Sequence, residues 1–308
     1  MKTIRLLLSA ILAVTLEGCS QEDALLFAND LSVVYTGGME KTASRVFLDQ
    51  DNMMNWEVDD QLTIFPMYDI NNQYKVVNVK NGLATFEYLD YVDKSDYSSI
   101  DNTYAVYPYY KDNKLEGNVI TTFVPTEVDY AGTEESIKYA LMSAKSSSER
   151  LNFTNAQGIL LFRLNAVTPF KYGAIAAIKL ESKTKMLSGT AVIDYSDSEK
   201  PIAKIVQGEK YLHVNLSEEL QTDLPAKKND EWAEFYIPVV PALFAKDDMK
   251  MTIIWKDGKT YEKSVGIEFE IKRNAIYELK HTVGGVPIYN GELEGAEDVQ
   301  DGASVVEG

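Results

Sequence analysis

The chain has 308 residues, 45% of them apolar, with 47 acidic against 30 basic side chains and a formal net charge of −17. That apolar share suffices for packed cores and argues against general disorder, and so acidic a surface repels phosphate backbones, which argues against nucleic acid as a partner. A single cysteine, Cys19, rules out an intrachain disulfide, and the two histidines, His213 and His281, have no zinc-site spacing.

Residues 1–18 read as a signal peptide. Lys2 and Arg5 precede an apolar run over residues 6–16, shorter than the ~20 residues that span a bilayer. Gly18 and Cys19 follow at once, an arrangement that resembles the lipobox of bacterial lipoproteins, with Glu17 where a small residue is usual. The resemblance implies a diacylglyceryl group on the Cys19 thiol and an acylated new N-terminus, palmitate being a typical chain. Three acyl chains at ~0.8 kcal/mol per buried CH₂ anchor a protein far more firmly than one myristoyl chain does. Gln21, Glu22 and Asp23 resemble the surface-export step of lipoproteins in Bacteroides-type bacteria. The expected location is the outer membrane, lipid-anchored, at the cell surface or in a fimbrium.

Beyond the leader, apolar residues recur with period two. Residues 31–35 form the first expected strand, with Leu31, Val33 and Tyr35 on one face and Gly37-Gly38 ending it. Residues 46–48 follow, then Trp56 and Val58, a turn at Asp59-Asp60, and a strand with Leu62 and Ile64. Residues 74–79 alternate into Asn81-Gly82, a strong hairpin signal, and Leu83, Thr85 and Tyr88 continue beyond it. Strands over residues 104–107 and 119–124 are each stopped by a proline, Pro108 and Pro125. Residues 134–148, rich in Ser, Ala and Lys, read as a loop and as the domain boundary. A second series of strands is expected over residues 151–153, 159–164, 175–181, 189–195, 211–216, 234–240, 249–255, 259–265, 268–271 and 275–279. Asp257-Gly258 marks its hairpin. Many short strands at this spacing predict an all-β chain of two tandem sandwiches. The tail, residues 283–308, carries Glu292, Glu294, Glu297, Asp298, Asp301 and Glu307 and no basic side chain, the composition of a solvated segment.

No phosphate loop, nucleophile elbow, H-E-x-x-H or G-x-G-x-x-G occurs, so an enzyme is not expected, and neither a cofactor nor a metal is implied. The aspartate pairs Asp59-Asp60 and Asp247-Asp248 suit turns. The acidic loops at residues 69–72 and 194–197 lack the spacing of a calcium loop. The 19 tyrosines cluster at Tyr107, Tyr109 and Tyr110 and at Tyr88, Tyr91 and Tyr97, either as strand residues or as a face for a glycan or a protein.

Several stretches taken in order carry a wider resemblance. After Cys19 and the strand at residues 31–35 come Thr42-Ala43-Ser44-Arg45-Val46-Phe47, and then Trp56 followed by Asp60 and an apolar strand. Tyr104-Ala105-Val106-Tyr107-Pro108-Tyr109, Asn155-Ala156-Gln157-Gly158, Phe235-Tyr236-Ile237-Pro238 and Arg273-Asn274-Ala275-Ile276-Tyr277 follow. Together they are similar to the fimbrillin (Mfa-like) family of Bacteroidia, over residues 19–280. The resemblance implies two transthyretin-like Greek-key β-sandwiches, over residues 46–148 and 149–282. It implies a fimbrial subunit or fimbrium-associated adhesin whose lipidated segment, residues 19–45, is removed by an Arg-specific protease at Arg45–Val46. A strand from another fimbrial subunit then fills the vacated groove, with the tail as a candidate donor segment. Burying Leu31, Val33 and Tyr35 is worth ~1.5–3 kcal/mol each, so losing all three removes roughly 5–8 of the ~5–15 kcal/mol that hold a domain together. Stalk, tip and anchor roles stay open. So does a non-polymerising surface lipoprotein that binds a glycan or host protein.

Overall fold

The computed structural model describes residues 34–39, 56–66, 71–89, 102–130, 140–167, 174–218, 221, 223–226, 231–284 and, as backbone, 302–306. Among them the chain is all β, with no α-helix. In chain order the strands of the N-terminal half are β1 (Tyr35–Met39), β2 (Gln61–Phe65), β3 (Asn72–Lys80), β4 (Leu83–Tyr88), β5 (Thr103–Tyr107), β6 (Lys114–Glu116), β7 (Val119–Val124), β8 (Glu127–Tyr130), β9 (Met142–Ser146) and β10 (Arg150–Asn155). Then come β11 (Gly158–Ala166), β12 (Ile175–Ser182), β13 (Ser188–Asp194), β14 (Ala203–Glu209), β15 (Tyr211–Leu216) and β16 (Ala233–Val239). The last are β17 (Ala242–Phe244), β18 (Met249–Trp255), β19 (Thr260–Ser264), β20 (Phe269–Ile271), β21 (Ile276–Val283) and β22 (Gly302–Val306).

Both predicted hairpins are present. β3 turns into β4 through Asn81 and Gly82 at φ 53° and 74°, the left-handed values a type I′ turn requires. β18 turns into β19 with Gly258 at φ 81°. Asp59 (φ 74°) and Asp247 (φ 63°) are turn residues, and their neighbours serve the same local geometry. Asp60 accepts the Glu57 N–H at 2.9 Å, and buried Asp248 accepts the Ser182 hydroxyl at 2.7 Å.

Strands β1-β10-β9-β5-β2-β3-β4 close into a barrel. Tyr35, Trp56, Leu62, Ile64, Tyr74, Val76, Phe86, Tyr107 and Phe153 fill its interior. β2 and β5 are buried on both faces, which explains the unbroken apolar run over residues 104–107 of β5 and the burial of Thr63 in β2. Their other faces, Phe65, Tyr104 and Val106, pack with Leu115, Ile120, Ala191 and Ile193 of the sheet β14-β13-β7-β6. A third layer pairs β16-β11-β21-β22 with β19-β18-β12-β15-β8 around Leu160, Phe162, Ile178, Leu180, Val214, Ile253 and Leu279. β11 is central, as its apolar run predicts, antiparallel to β16 and parallel to β21. On its opposite face Arg163 bridges Glu234 at 2.7 Å and Glu278 at 2.6 Å, beside the buried cluster Ile159, Leu161, Tyr236 and Ile276.

Three expectations change. The loop expected over residues 134–148 contains β9, whose small side chains conceal its alternation: Ser143 is fully buried because it accepts the Tyr195 hydroxyl at 2.8 Å. The division expected at 148/149 falls between β9 and β10, which pair with each other in the barrel. β7 and β8 of the first half also pair with β13 and β15 of the second, so backbone hydrogen bonds stitch the two halves together. The first layer, expected as a sandwich, is a closed barrel because β1 pairs with β4 on one side and β10 on the other.

The two motifs quoted at residues 155–158 and 273–275 meet at the joint between barrel and sheets. Arg273 Nη1 donates to the Asn155 carbonyl at 3.0 Å, Asn274 N–H to the Gln157 carbonyl at 2.9 Å, and Ile159 N–H to the Ala275 carbonyl at 2.9 Å. Asn155 and Asn274 bond through their side chains, and Gln157 Oε1 accepts the Leu141 N–H at 2.8 Å. Asn274 takes the left-handed conformation, φ 55°, that asparagine tolerates.

Burial raises the hydroxyl pKa of Tyr35, Tyr74, Tyr107, Tyr195, Tyr236 and Tyr277 above the ordinary tyrosine value. A nearby carboxylate raises it further at Tyr107, through Asp60, and at Tyr236, through Glu234. The sign follows by linkage. Below about pH 10 both states hold these protons and stability is complete; above it the unfolded chain ionises first and stability falls as pH rises. An ultraviolet titration of the folded chain should therefore leave Tyr74, Tyr107, Tyr195 and Tyr236 protonated at about pH 11. Ionisation of all 19 tyrosines in one step near pH 10 would contradict this burial.

Candidate functional site

The sequence points to the first strand and its neighbourhood. The strand expected over residues 31–35 meets β1 only at Tyr35: β1 starts there, with Val34 outside it, and runs through Gly37-Gly38 to Met39 instead of ending at the glycines. It lies antiparallel to β4, with Tyr35 opposite Phe86 and Gly37 opposite Ala84. On its other side it lies parallel to β10, with Gly37 beside Leu151 and Met39 beside Phe153. The Thr36 N–H donates to the Glu149 carbonyl at 3.0 Å.

The inward residues of β1 are Tyr35, Gly37 and Met39, spaced by two as the pleat requires. Tyr35 is 5% exposed; its ring meets Tyr74 edge-on at 5.7 Å and 84°, and Tyr74 in turn meets Tyr88 at 5.2 Å. Met39 packs on the same cluster. Gly37 is where the backbone approaches the core most closely. A Cβ there would stand 2.7 Å from the Phe86 ring and 2.8 Å from the Leu151 carbonyl oxygen. The glycine that reads in sequence as a strand terminator is in fact the residue that lets the strand seat.

β1 thus supplies two large side chains and two hydrogen-bonded ladders to the barrel, and without it both β4 and β10 become edges. Leu31, Val33, Arg45, Val46 and Cys19 lie outside the described residues. At the other end of the chain, β22 pairs antiparallel with β21, from Ile276 opposite Val306 to Lys280 opposite Gly302. That strand was not expected, because Gly302–Val306 shows no alternation.

The tyrosine clusters divide. Tyr107 is buried in the barrel and donates its hydroxyl to Asp60 at 3.2 Å. Tyr109 and Tyr110 are half-buried, and the Tyr110 ring meets Phe123, 40% exposed, edge-on at 6.0 Å. Tyr88 is half-buried at the barrel rim, and Tyr91 and Tyr97 lie outside the described residues. Among the described residues no three His, Cys, Asp or Glu side chains gather in a group that could hold a metal.

No family model matches the chain, and neither does any curated protein. Solved structures do. A candidate cell adhesion protein from Bacteroides ovatus, 14% identical, superposes with a TM-score of 0.50 over 82% of this chain and 91% of its own. A candidate cell adhesion protein from Bacteroides uniformis, 15% identical, gives 0.48 over 90% and 98%. A fimbrial protein from Bacteroides ovatus, 12% identical, gives 0.35 over 82% of this chain and 49% of its own. At this identity the first likeness speaks for a shared all-β fold.

Proposed function

We propose that this chain is a fimbria-associated surface subunit, delivered as a lipoprotein through Cys19 and assembled by exchange of its first strand. The observation that carries the reading is the seat of β1. This short strand lies between two ladders, with one large residue, Tyr35, fully in the core, and Arg45 follows six residues after it. Cutting at Arg45–Val46 would detach β1 from the rest of the chain and leave an apolar slot that a strand of another subunit could fill. The all-β likeness to Bacteroides proteins of candidate adhesion function supports the same class. On this reading the barrel and the C-terminal sheets correspond to the two transthyretin-like domains of such a subunit.

The test is mass spectrometry of protein taken from the native cell surface. A mature N-terminus at Val46 in high-mass polymers is the expected result. An intact chain, lipidated at Cys19 and monomeric, would sink the exchange mechanism. It would favour the second reading, a lipid-anchored binding module for a glycan or host protein. Two observations support that alternative: β22 sits on its own sheet edge, and Tyr109, Tyr110 and Phe123 gather at the surface.

A further inference from the structure

Beside β19, the edge strand of its sheet, the two C-terminal sheets part into a crevice of about 360 Å³, its open mouth included. Its floor is the apolar core itself: Phe162, Met251, Val265 and Leu279, with Ile267 packed against them. Its mouth is basic. Lys263 of β19 stands opposite Met251 in the ladder, and cross-strand partners share a face, so this lysine turns toward the inside of the sandwich. Tyr261, two residues earlier and opposite Ile253, lies on the same face. Its hydroxyl is bonded to His281 Nε2 of β21 at 2.7 Å, and the two rings stack at 5.7 Å. That pair joins the two sheets and holds the imidazole on the crevice wall, which Lys263, Ser264 and Lys280 also line. Lys280 lies 3.3 Å from the Glu278 carboxylate. Among the described residues that line the crevice there is no Asp or Glu. In a chain of net charge −17, an apolar crevice with a basic mouth inverts the general character of the surface.

We infer that this crevice binds a medium-chain fatty acid, with the methylenes on Phe162, Met251 and Leu279 and the carboxylate at the Lys263 ammonium. In size and make-up it matches small-molecule sites, which run to ~300–1,000 Å³ and are mostly apolar with a few convergent polar groups. Charge selects the class of ligand. The acidic surface repels anions in general, whereas Lys263 offers a headgroup its counter-charge where a hydrocarbon chain can also leave water. The Ser264 hydroxyl adds a donor at the same mouth. An amine would meet Lys263 as a like charge, and the hydroxyls of a sugar would lie on the apolar floor without partners. An inward lysine on an edge strand also deters foreign strands from pairing; that role needs the charge alone, not the crevice behind it. The inference does not depend on exchange of β1 and adds a ligand site to either reading of the chain.

The test is a calorimetric titration of the full chain with butanoate, hexanoate, octanoate and octan-1-ol. Affinity should rise about tenfold for each two methylenes added along the acid series. Octan-1-ol, which lacks the charge, should bind at least about tenfold more weakly than octanoate. Lys263→Met keeps an apolar stem and removes the ammonium, so it should abolish the preference for octanoate over octan-1-ol while the melting temperature without ligand stays close to that of the natural chain. The two histidines report the location. When octanoate is titrated and their ring signals are followed by NMR, His281 should shift. His213 should not, because it lies between Leu212 and Val214 on β15, whose side chains face the core, and so stands on the opposite face of its sheet. Affinity that does not change with chain length, an unmoved His281, or a Lys263→Met chain that still prefers octanoate would each overturn the inference and leave Lys263 as a guard of the β19 edge.

Discussion

Trp56→Ala should be among the most damaging single changes in the barrel, costing about 4 kcal/mol of stability. The indole is 3% exposed and meets three rings edge-on: Phe86 at 5.2 Å, Tyr107 at 5.3 Å and Phe153 at 5.0 Å. Those rings belong to β4, β5 and β10, so one side chain ties together strands from distant parts of the barrel. Truncating a buried tryptophan costs ~3–5 kcal/mol, and each edge-to-face pair adds ~0.5–1.5 beyond the area it buries. Against a total of ~5–15 kcal/mol for a domain, the loss is a large fraction. Among the described residues the indole N–H has no hydrogen-bond partner, so Trp56→Phe should recover most of the deficit. Val58, two residues on and 58% exposed, serves as the control, and Val58→Ala should stay within about 0.5 kcal/mol. Denaturant unfolding of the three variants decides the matter; a Trp56→Ala cost under about 1 kcal/mol would mean the ring cluster does not hold the barrel. The same change should loosen the slot for β1, since Trp56 backs the Phe86 ring that guards Gly37.

Much of this architecture is legible in the order of residues. Asn81-Gly82 and Asp257-Gly258 mark their hairpins because only residues that tolerate positive φ close so tight a turn. The apolar run at residues 159–164 announces a central strand because both of its faces are covered. What escapes the sequence is whatever depends on distant partners. β9 is hidden because Ser143 and Ala144 are buried without being markedly apolar, the first through its bond to Tyr195. β14 is hidden because it is an edge strand, exposed along most of its length, and needs no alternation. Gly37 is legible as a glycine but not as a fitted one, because Phe86 and Leu151 come from strands far along the chain. Likewise the Asn155 and Arg273 motifs are visible one by one, yet their meeting across 118 residues is a property of β11 lying parallel to β21.

That meeting point sets the second large effect. Gly158→Ala should cost about 3 kcal/mol or more, although it adds a single methyl group. The new Cβ would stand 2.3 Å from the Lys272 carbonyl oxygen and 2.6 Å from the Ile271 side chain. A carbonyl in the backbone cannot rotate aside, so residues 271–275 must move together. With them go the bonds from Arg273 to the Asn155 carbonyl, from Asn274 to the Gln157 carbonyl and from Ile159 to the Ala275 carbonyl, each worth ~0.5–1.5 kcal/mol net. Gly117 is the contrast: at φ +61° it has nothing within 4 Å of its Cβ position, so Gly117→Ala meets only the backbone preference, ~1–2 kcal/mol. Equal costs at the two sites would mean that the joint yields and the close approach is unimportant. The shape of the transition carries further information. The natural chain should unfold in one step, because β9 and β10 of the barrel are bound through residues 155–158 to β11 and the turn before β21. In Gly158→Ala the joint is wedged open while both cores keep their side chains. Calorimetry should then resolve two transitions, one for the barrel and one for the C-terminal sheets. Should the transition stay single while its midpoint falls, the coupling would have to lie in the crossed pairs of β7 with β13 and β8 with β15, which Gly158 does not touch.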